Sequence, residues 1–204
     1  MLPCSIVWQP AGFAYREPAE AAVHEVVRAL GLGRRVRSIS ISFRPRLDRD
    51  HGVVAWREGR RTEVKMFLDL GNLLTRDGRR ALGRSGLTAA TLPRRRYSGR
   101  TFRTTLYHEL SHVADALRHG IDSNDVPRGR WGPFNEAWNV WIDGRLTRRG
   151  SPVLSRGERL DSFRLAFARR GRRRAHHRAV FNRLWRAEKL SQRDLLEAVD
   201  SLVG

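Results

Sequence analysis

Residues 104–120 read TTLYHELSHVADALRHG, and how this stretch is read decides how the rest of the chain is arranged. Phe102, Leu106, Leu110, Val113 and Leu117 recur at intervals of four and three, which makes one apolar stripe on an α-helix. His108, Glu109, His112 and Asp115 fall off that stripe. Residues four apart lie one turn above each other, so both imidazoles reach the same side of the helix and a single ion there. Glu109 is turned by about 100° from His108 at ~3.6 residues per turn, which sets its carboxylate beside such an ion rather than on it. That is where a general base stands to take a proton from a metal-bound water. The competing reading is a solvated helix face whose histidines pair with nearby acids.

This helix is also the joint of the chain, because strand patterns precede it and helix patterns follow. A strand-like N-terminal piece leads into EPAEAAVHEVVRALGLG (17–33), where Ala22, Val23, Val26, Val27 and Leu30 form a helical stripe, with Pro18 early and Gly31 at the end. Three β-branched or aromatic stretches come next: VRSISISF (36–43), HGVVAWRE (51–58) and TEVKMFLDL (62–70). Their links are short and polar, so the natural sheet is antiparallel or mixed. Residues 71–100 read as a short helix around Leu73 to Leu82 and then an exposed loop. Helices are expected at 101–118, about 133–147, about 156–170, about 174–188 and 191–202, the last with Ser191 as N-cap. Strands first and helices afterwards give an α+β domain: an N-terminal helix with a small mixed or antiparallel sheet, then the HELSH helix and a helical half. One domain is expected over residues 1–204, with 1–100 as its helix-and-sheet part and 101–204 as its helical part.

Composition narrows the class. No apolar run approaches the ~18 residues of a membrane span, and no basic leader with an apolar stretch and cleavage site is visible at the N-terminus. Cys4 is the only cysteine, which excludes an internal disulfide framework and a cysteine-based zinc ribbon. A soluble, cytoplasmic protein is the expectation. The formal net charge of +19 would attract nucleic acid, an anionic surface or acidic protein. Yet Lys65 and Lys189 are the only lysines among 40 basic residues, so the arginine bias reads equally as genomic base composition.

A catalytic zinc normally has three protein ligands and an open position for water, so HELSH needs a third. His119 is out of register: the third histidine of HExxHxxGxxH would fall on Arg118, and its glycine position holds Asp115. The second helix, GPFNEAWNVWIDGRL (132–146), offers Glu136, Asn139 and Asp143 at i, i+3 and i+7, an acidic stripe beside Trp138 and Trp141. Such a stripe is costly to bury unless it meets a cation or hydrogen-bond donors.

HELSH followed by NEAWNVWID resembles the zincin metallopeptidases, in particular gluzincins of the thermolysin type, whose HExxH helix is followed by a helix bearing NExxxD. The resemblance covers roughly residues 104–146 and implies a zincin-like fold and a Zn2+ cofactor. It implies His108 and His112 as zinc ligands, Glu109 as general base and Glu136 as third ligand. Asp143 becomes a carboxylate that holds an imidazole N–H and fixes its tautomer. The family's aspartate lies four residues after the ligand Glu, which here is Val140, whereas Asp143 lies seven after it. Asp143 as the ligand instead, a helix salt bridge for Glu136 and a cap or arginine partner for Asp143 all remain open. SprT-like proteases have a ligand His before Gly-Pro in a similar segment, but that position is Trp131, which cannot bind zinc.

The oxyanion donor is not assigned. No tyrosine follows Tyr107, and His176 and His177 sit in the basic run RRGRRRAHHR (169–178), which reads first as solvated. Arg145 reads either as that donor or as a surface residue closing its helix, and Asp115 as a partner of His112 or His119. TEVKMFLDL is a candidate edge strand for an extended substrate. PRRRYSGR (93–100) and the basic run are the nucleic-acid features, arginine for phosphate and tyrosine for stacking. The leading expectation is a zinc-dependent metallopeptidase acting on a peptide or protein substrate. The alternative is a basic nucleic-acid-binding protein with a structural or vestigial metal site.

Overall fold

A computed structural model describes residues 4–44, 52–58, 61–82, 90, 91, 93–167 and 174–203. The chain is α+β and divides into two compact units, Met1–Ala114 and Asp115–Gly204. Among the described residues no helix is long and apolar enough to cross a membrane.

The first unit is built on four strands: β1 (Ser5–Gln9), β2 (Val36–Arg44), β3 (Gly52–Glu58) and β4 (Arg61–Asp69), in the order β1-β2-β4-β3. β1, β2 and β4 run parallel, and β3 is antiparallel to β4. The parallel β1–β2 pair requires a crossover, which α1 (Arg16–Ala29) supplies. α1 stops at Gly31, whose φ of 62° is costly for any residue with a Cβ. There the Leu32 N–H reaches Val27 O at 2.9 Å and the Gly31 N–H reaches Arg28 O at 3.0 Å, the paired bonds of a Schellman cap.

The period-two pattern of SISIS sorts the sheet into two faces. Ile39 and Ile41 lie beside Val64 and Met66 and are fully buried, while Ser38, Ser40 and Ser42 share the other face with Glu63, Lys65 and Phe67. Trp8, level with Ile41, is buried as well. β4 is an inner strand, so the expectation that TEVKMFLDL forms an edge is wrong. The short β3–β4 hairpin folds back onto the outer side of β4, and β3 takes the edge, with Val54 and Trp56 exposed.

The expected helix at Leu73 to Leu82 divides into a 3-10 turn (Leu70–Leu73) and α2 (Arg76–Leu82). Residues 83–89 and 92 of the expected loop lie outside the described residues. Its last part is tied down: Tyr97 bridges to Leu74 and stacks on Tyr15 with ring centroids 4.9 Å apart. Burial accordingly raises the Tyr97 phenol above its ordinary range. α3 (Gly99–His119) then sets the fully buried Phe102 against Trp8 and Phe43, each 6.5 Å away.

The second unit gathers α4 (Trp131–Arg148), α5 (Arg156–Phe167), α6 (Arg174–Arg186) and α7 (Gln192–Val203) around α4, which packs on all three others. α4 is buried almost all round from Ala137 to Leu146, as befits a central helix, although it carries polar side chains there. Ser191 caps α7 reciprocally: the Asp194 N–H reaches its hydroxyl at 3.2 Å and the Ser191 N–H reaches the Asp194 carboxylate at 2.7 Å.

α4 and α6 approach most closely at Gly144, where a Cβ would collide with the backbone carbonyl of Trp185. The same approach lets α4 satisfy the end of α6. Arg148 donates to the carbonyls of Trp185 and Ala187, and the Trp141 indole donates to Ala187 O at 3.1 Å. Gly144→Ala should therefore separate the two helices and destabilise the protein by about 3 kcal/mol, the upper end of ordinary overpacking. A thermal melt followed by circular dichroism measures this; an unchanged midpoint would disprove the close crossing.

Candidate metal-binding helix and its acidic neighbours

The apolar stripe of α3 is buried as its spacing requires, with Phe102, Leu106 and Leu110 at 0% exposure and Val113 at 2%. The polar face differs from the expectation of a helix open on one side. Glu109, Ser111, His112 and Asp115 are buried too, so α3 is enclosed nearly all round from Leu106 to Asp115. A buried polar group needs a partner, and Ser111 and Asp115 find theirs in different ways.

Ser111 donates to Tyr107 O one turn back at 2.7 Å, which removes its hydroxyl from consideration as a reacting group. Burial, the first cause, and the nearby Glu25 carboxylate together raise the Tyr107 phenol above its ordinary range. The neighbouring Arg103 ties α3 to α1 through Glu25 at 2.9 Å.

His108 and His112 have ring centroids 5.2 Å apart with planes at 77°, and His112 is 8% exposed. The two imidazoles thus sit together on one side of the helix, as spacing by four requires. Glu109 is 7% exposed, and among the described residues no hydrogen bond or ion pair reaches its carboxylate.

Asp115, 1% exposed, pairs with neither histidine proposed for it. It accepts from Trp138 Nε1 at 2.9 Å and from Arg145 Nη2 at 2.5 Å. Arg145 also lies flat on Trp141, with its guanidinium carbon 3.8 Å from the ring centroid. It is thus not a surface residue, and its buried Nε has no hydrogen-bond partner among the described residues. The bond to Asp115 fastens α4 to the last turns of α3, while the contact with Trp141 lies within α4.

The acidic stripe of α4 has met a cation, and that cation is Arg159 of α5. Arg159 Nε donates to Asp143 Oδ2 at 2.6 Å and Nη1 to Glu136 Oε1 at 3.4 Å, while Asn139 reaches Glu136 Oε2 at 3.3 Å. The three side chains are 8%, 1% and 14% exposed for Arg159, Asp143 and Glu136. The bond to Asp143 is short and buried; the two to Glu136 are longer. Sequence reasoning missed Arg159, yet a signal existed. Arg159, Phe163 and Phe167 are spaced by four and all buried, so an arginine occupies the apolar stripe of α5.

Three histidines downstream of the pair lie against neighbouring groups. His119 is exposed near Trp141, His176 bonds through Nε2 to Ser201 O at 2.8 Å, and His177 is buried beside Phe167. The last two are not the solvated pair the basic run suggested; residues 169–173 of that run lie outside the described residues.

Among the described residues no three His, Cys, Asp or Glu side chains are grouped closely enough to hold a metal ion. The assembled part of the candidate centre is the His108–His112 pair with Glu109 beside it. No family model, curated protein or solved structure matches the chain.

Arg159→Met should destabilise the protein by about 3–5 kcal/mol, because it leaves two carboxylates without their buried partner. Arg159→Met combined with Asp143→Leu should recover a large share of that loss. Urea titration of the two variants decides the point, and equal losses would show that Asp143 is not the main partner of Arg159.

Proposed function

We propose that this protein is a zinc-dependent metallopeptidase of the zincin-like kind, with His108 and His112 as ligands, Glu136 as the third and Glu109 as general base. The observation that carries this reading is the pair of adjacent imidazoles with a buried carboxylate at the next position, a donor set of the chemistry zinc selects. Support also comes from the resemblance of HELSH and NEAWNVWID to gluzincins. Zinc bound there would supply the Lewis acidity that makes water a competent nucleophile near neutral pH.

The chain's own residues then have separable tasks. Glu109 accepts the proton of the attacking water and returns it to the leaving amine. The enclosed helix around it limits access of bulk water and strengthens electrostatic interactions. Glu136, which accepts from Arg159 at 3.4 Å and from Asn139 at 3.3 Å, would have to exchange one of these bonds for the ion. Asp143 acts at one remove, since its short bond goes to Arg159. A peptide in extended form would add to the free edge of β3, the strand that takes the place first expected for β4.

Metal analysis of the purified protein, with and without zinc soaking, tests the assignment. About one zinc per chain is expected, lost in His108→Ala and His112→Ala and weakened in Glu136→Ala. Glu109→Gln should retain zinc and lower peptide hydrolysis by about 10²- to 10⁴-fold. A wild-type chain that takes up no zinc after soaking would end the proposal, and loss of zinc in Glu109→Gln would make Glu109 a ligand instead.

A further inference from the structure

The arginine-rich end of the chain has no part in the reading above, and α6 gives it a definite geometry. Its sequence, RAHHRAVFNRLWR, contains no acid. Val180, Phe181, Leu184 and Trp185 are buried within the helical unit, and Arg178, Arg183 and Arg186 are exposed on the opposite side. Asn182 lies among these three, and its side-chain oxygen accepts from Arg156 of α5 at 2.7 Å. A fourth exposed guanidinium is thereby laid on the same face, a convergence that sequence order hides because Arg156 and Asn182 are 26 positions apart.

None of the four arginines forms an ion pair among the described residues. The nearby acids are engaged elsewhere: Glu158 with Ser155, Asp161 with Arg164, Glu188 with Arg148, and Asp194 with Ser191. Asp194 is held below its ordinary range by its bonds to Ser191 first, with a smaller contribution from Arg183.

We propose that this face, formed by Arg156, Arg178, Arg183 and Arg186, docks the phosphate backbone of double-stranded nucleic acid. Arg178 and Arg186 are eight residues apart, which on a helix is about 12 Å, the rise of three to four nucleotides along one strand. Ala175 and Ala179 are exposed beside the arginines and leave room for a sugar–phosphate chain to approach. Guanidinium pairs with phosphate through two parallel donors, and arginines spaced along one helix suit the regular repeat of phosphates on a strand. A membrane surface fits poorly, because an interfacial helix must offer its apolar side to lipid and here that side is buried. Single strands fit poorly as well, because no aromatic ring is exposed on α6 to stack with bases. Contact is therefore to phosphate alone and independent of sequence.

The test is anisotropy titration of a labelled mixed-sequence 20-base-pair duplex at several salt concentrations, with the full chain. Arg178→Ala/Arg183→Ala/Arg186→Ala should weaken binding by at least ~30-fold at low salt. It should also reduce the magnitude of the slope of log K against log salt by about 3, near 0.9 for each lost phosphate contact. Arg28→Ala/Arg100→Ala/Arg149→Ala removes the same charge from exposed positions elsewhere and should cost less than ~3-fold. Equal losses in the two triple variants, or an unchanged slope, would overturn the proposal. So would recruitment of the protein by phosphatidylserine vesicles through these arginines without duplex binding. Should the first triple variant fold poorly, Arg178→Glu and Arg186→Glu read singly in the same titration give the decision.

Discussion

A carboxylate taken out of water is costly unless a donor meets it, and two carboxylates so met organise the helices around α4. Asp115 and Asp143 are each 1% exposed, and each is answered by a guanidinium from another helix. Arg145 and Trp138 of α4 reach Asp115 on α3, while Arg159 of α5 reaches Asp143 and Glu136 on α4. Each interaction fixes both the rotation and the height of the helix that carries it, because a displacement of one turn would leave buried charge unpaired. Gly144 completes the arrangement on another side of α4 by admitting the backbone of α6.

Elements whose signals are local were legible in the sequence. The alternation in SISIS assigns the faces of β2, Gly31 ends α1 through a positive φ, and Ser191 with Asp194 starts α7. Each of these depends on residues within a few positions of one another. What was not legible depends on partners far along the chain. TEVKMFLDL has the composition of a strand, but its inner place follows from β2 and β3 flanking it, which periodicity does not encode. Tyr97 in PRRRYSGR looked available for stacking on bases, yet it is stacked on Tyr15.

The candidate site was legible to the same degree and for the same reason. Spacing by four on a helix is local, and it brings His108 and His112 together as expected. The acidic stripe of α4 was also visible, and so was the need for a cation. The identity of that cation was not, because Arg159 comes from α5, 16 positions from Asp143. An arginine among Phe163 and Phe167 was the available clue, since a guanidinium on an apolar stripe is stable there only opposite an acid.

Arginine therefore separates the acids of these two helices into kinds. Asp115 and Asp143 are committed through Oδ2 to short bonds with guanidinium groups, which hold the helices in register. Glu136 accepts two longer bonds, from Asn139 at 3.3 Å and from Arg159 at 3.4 Å. Glu109 is buried, yet no arginine reaches it among the described residues, and it stands next to the paired imidazoles. A general base must be free to accept a proton from water, which a clamped carboxylate is not. Of the four acids, the one the chain leaves unclamped is the one the proposed chemistry requires to act.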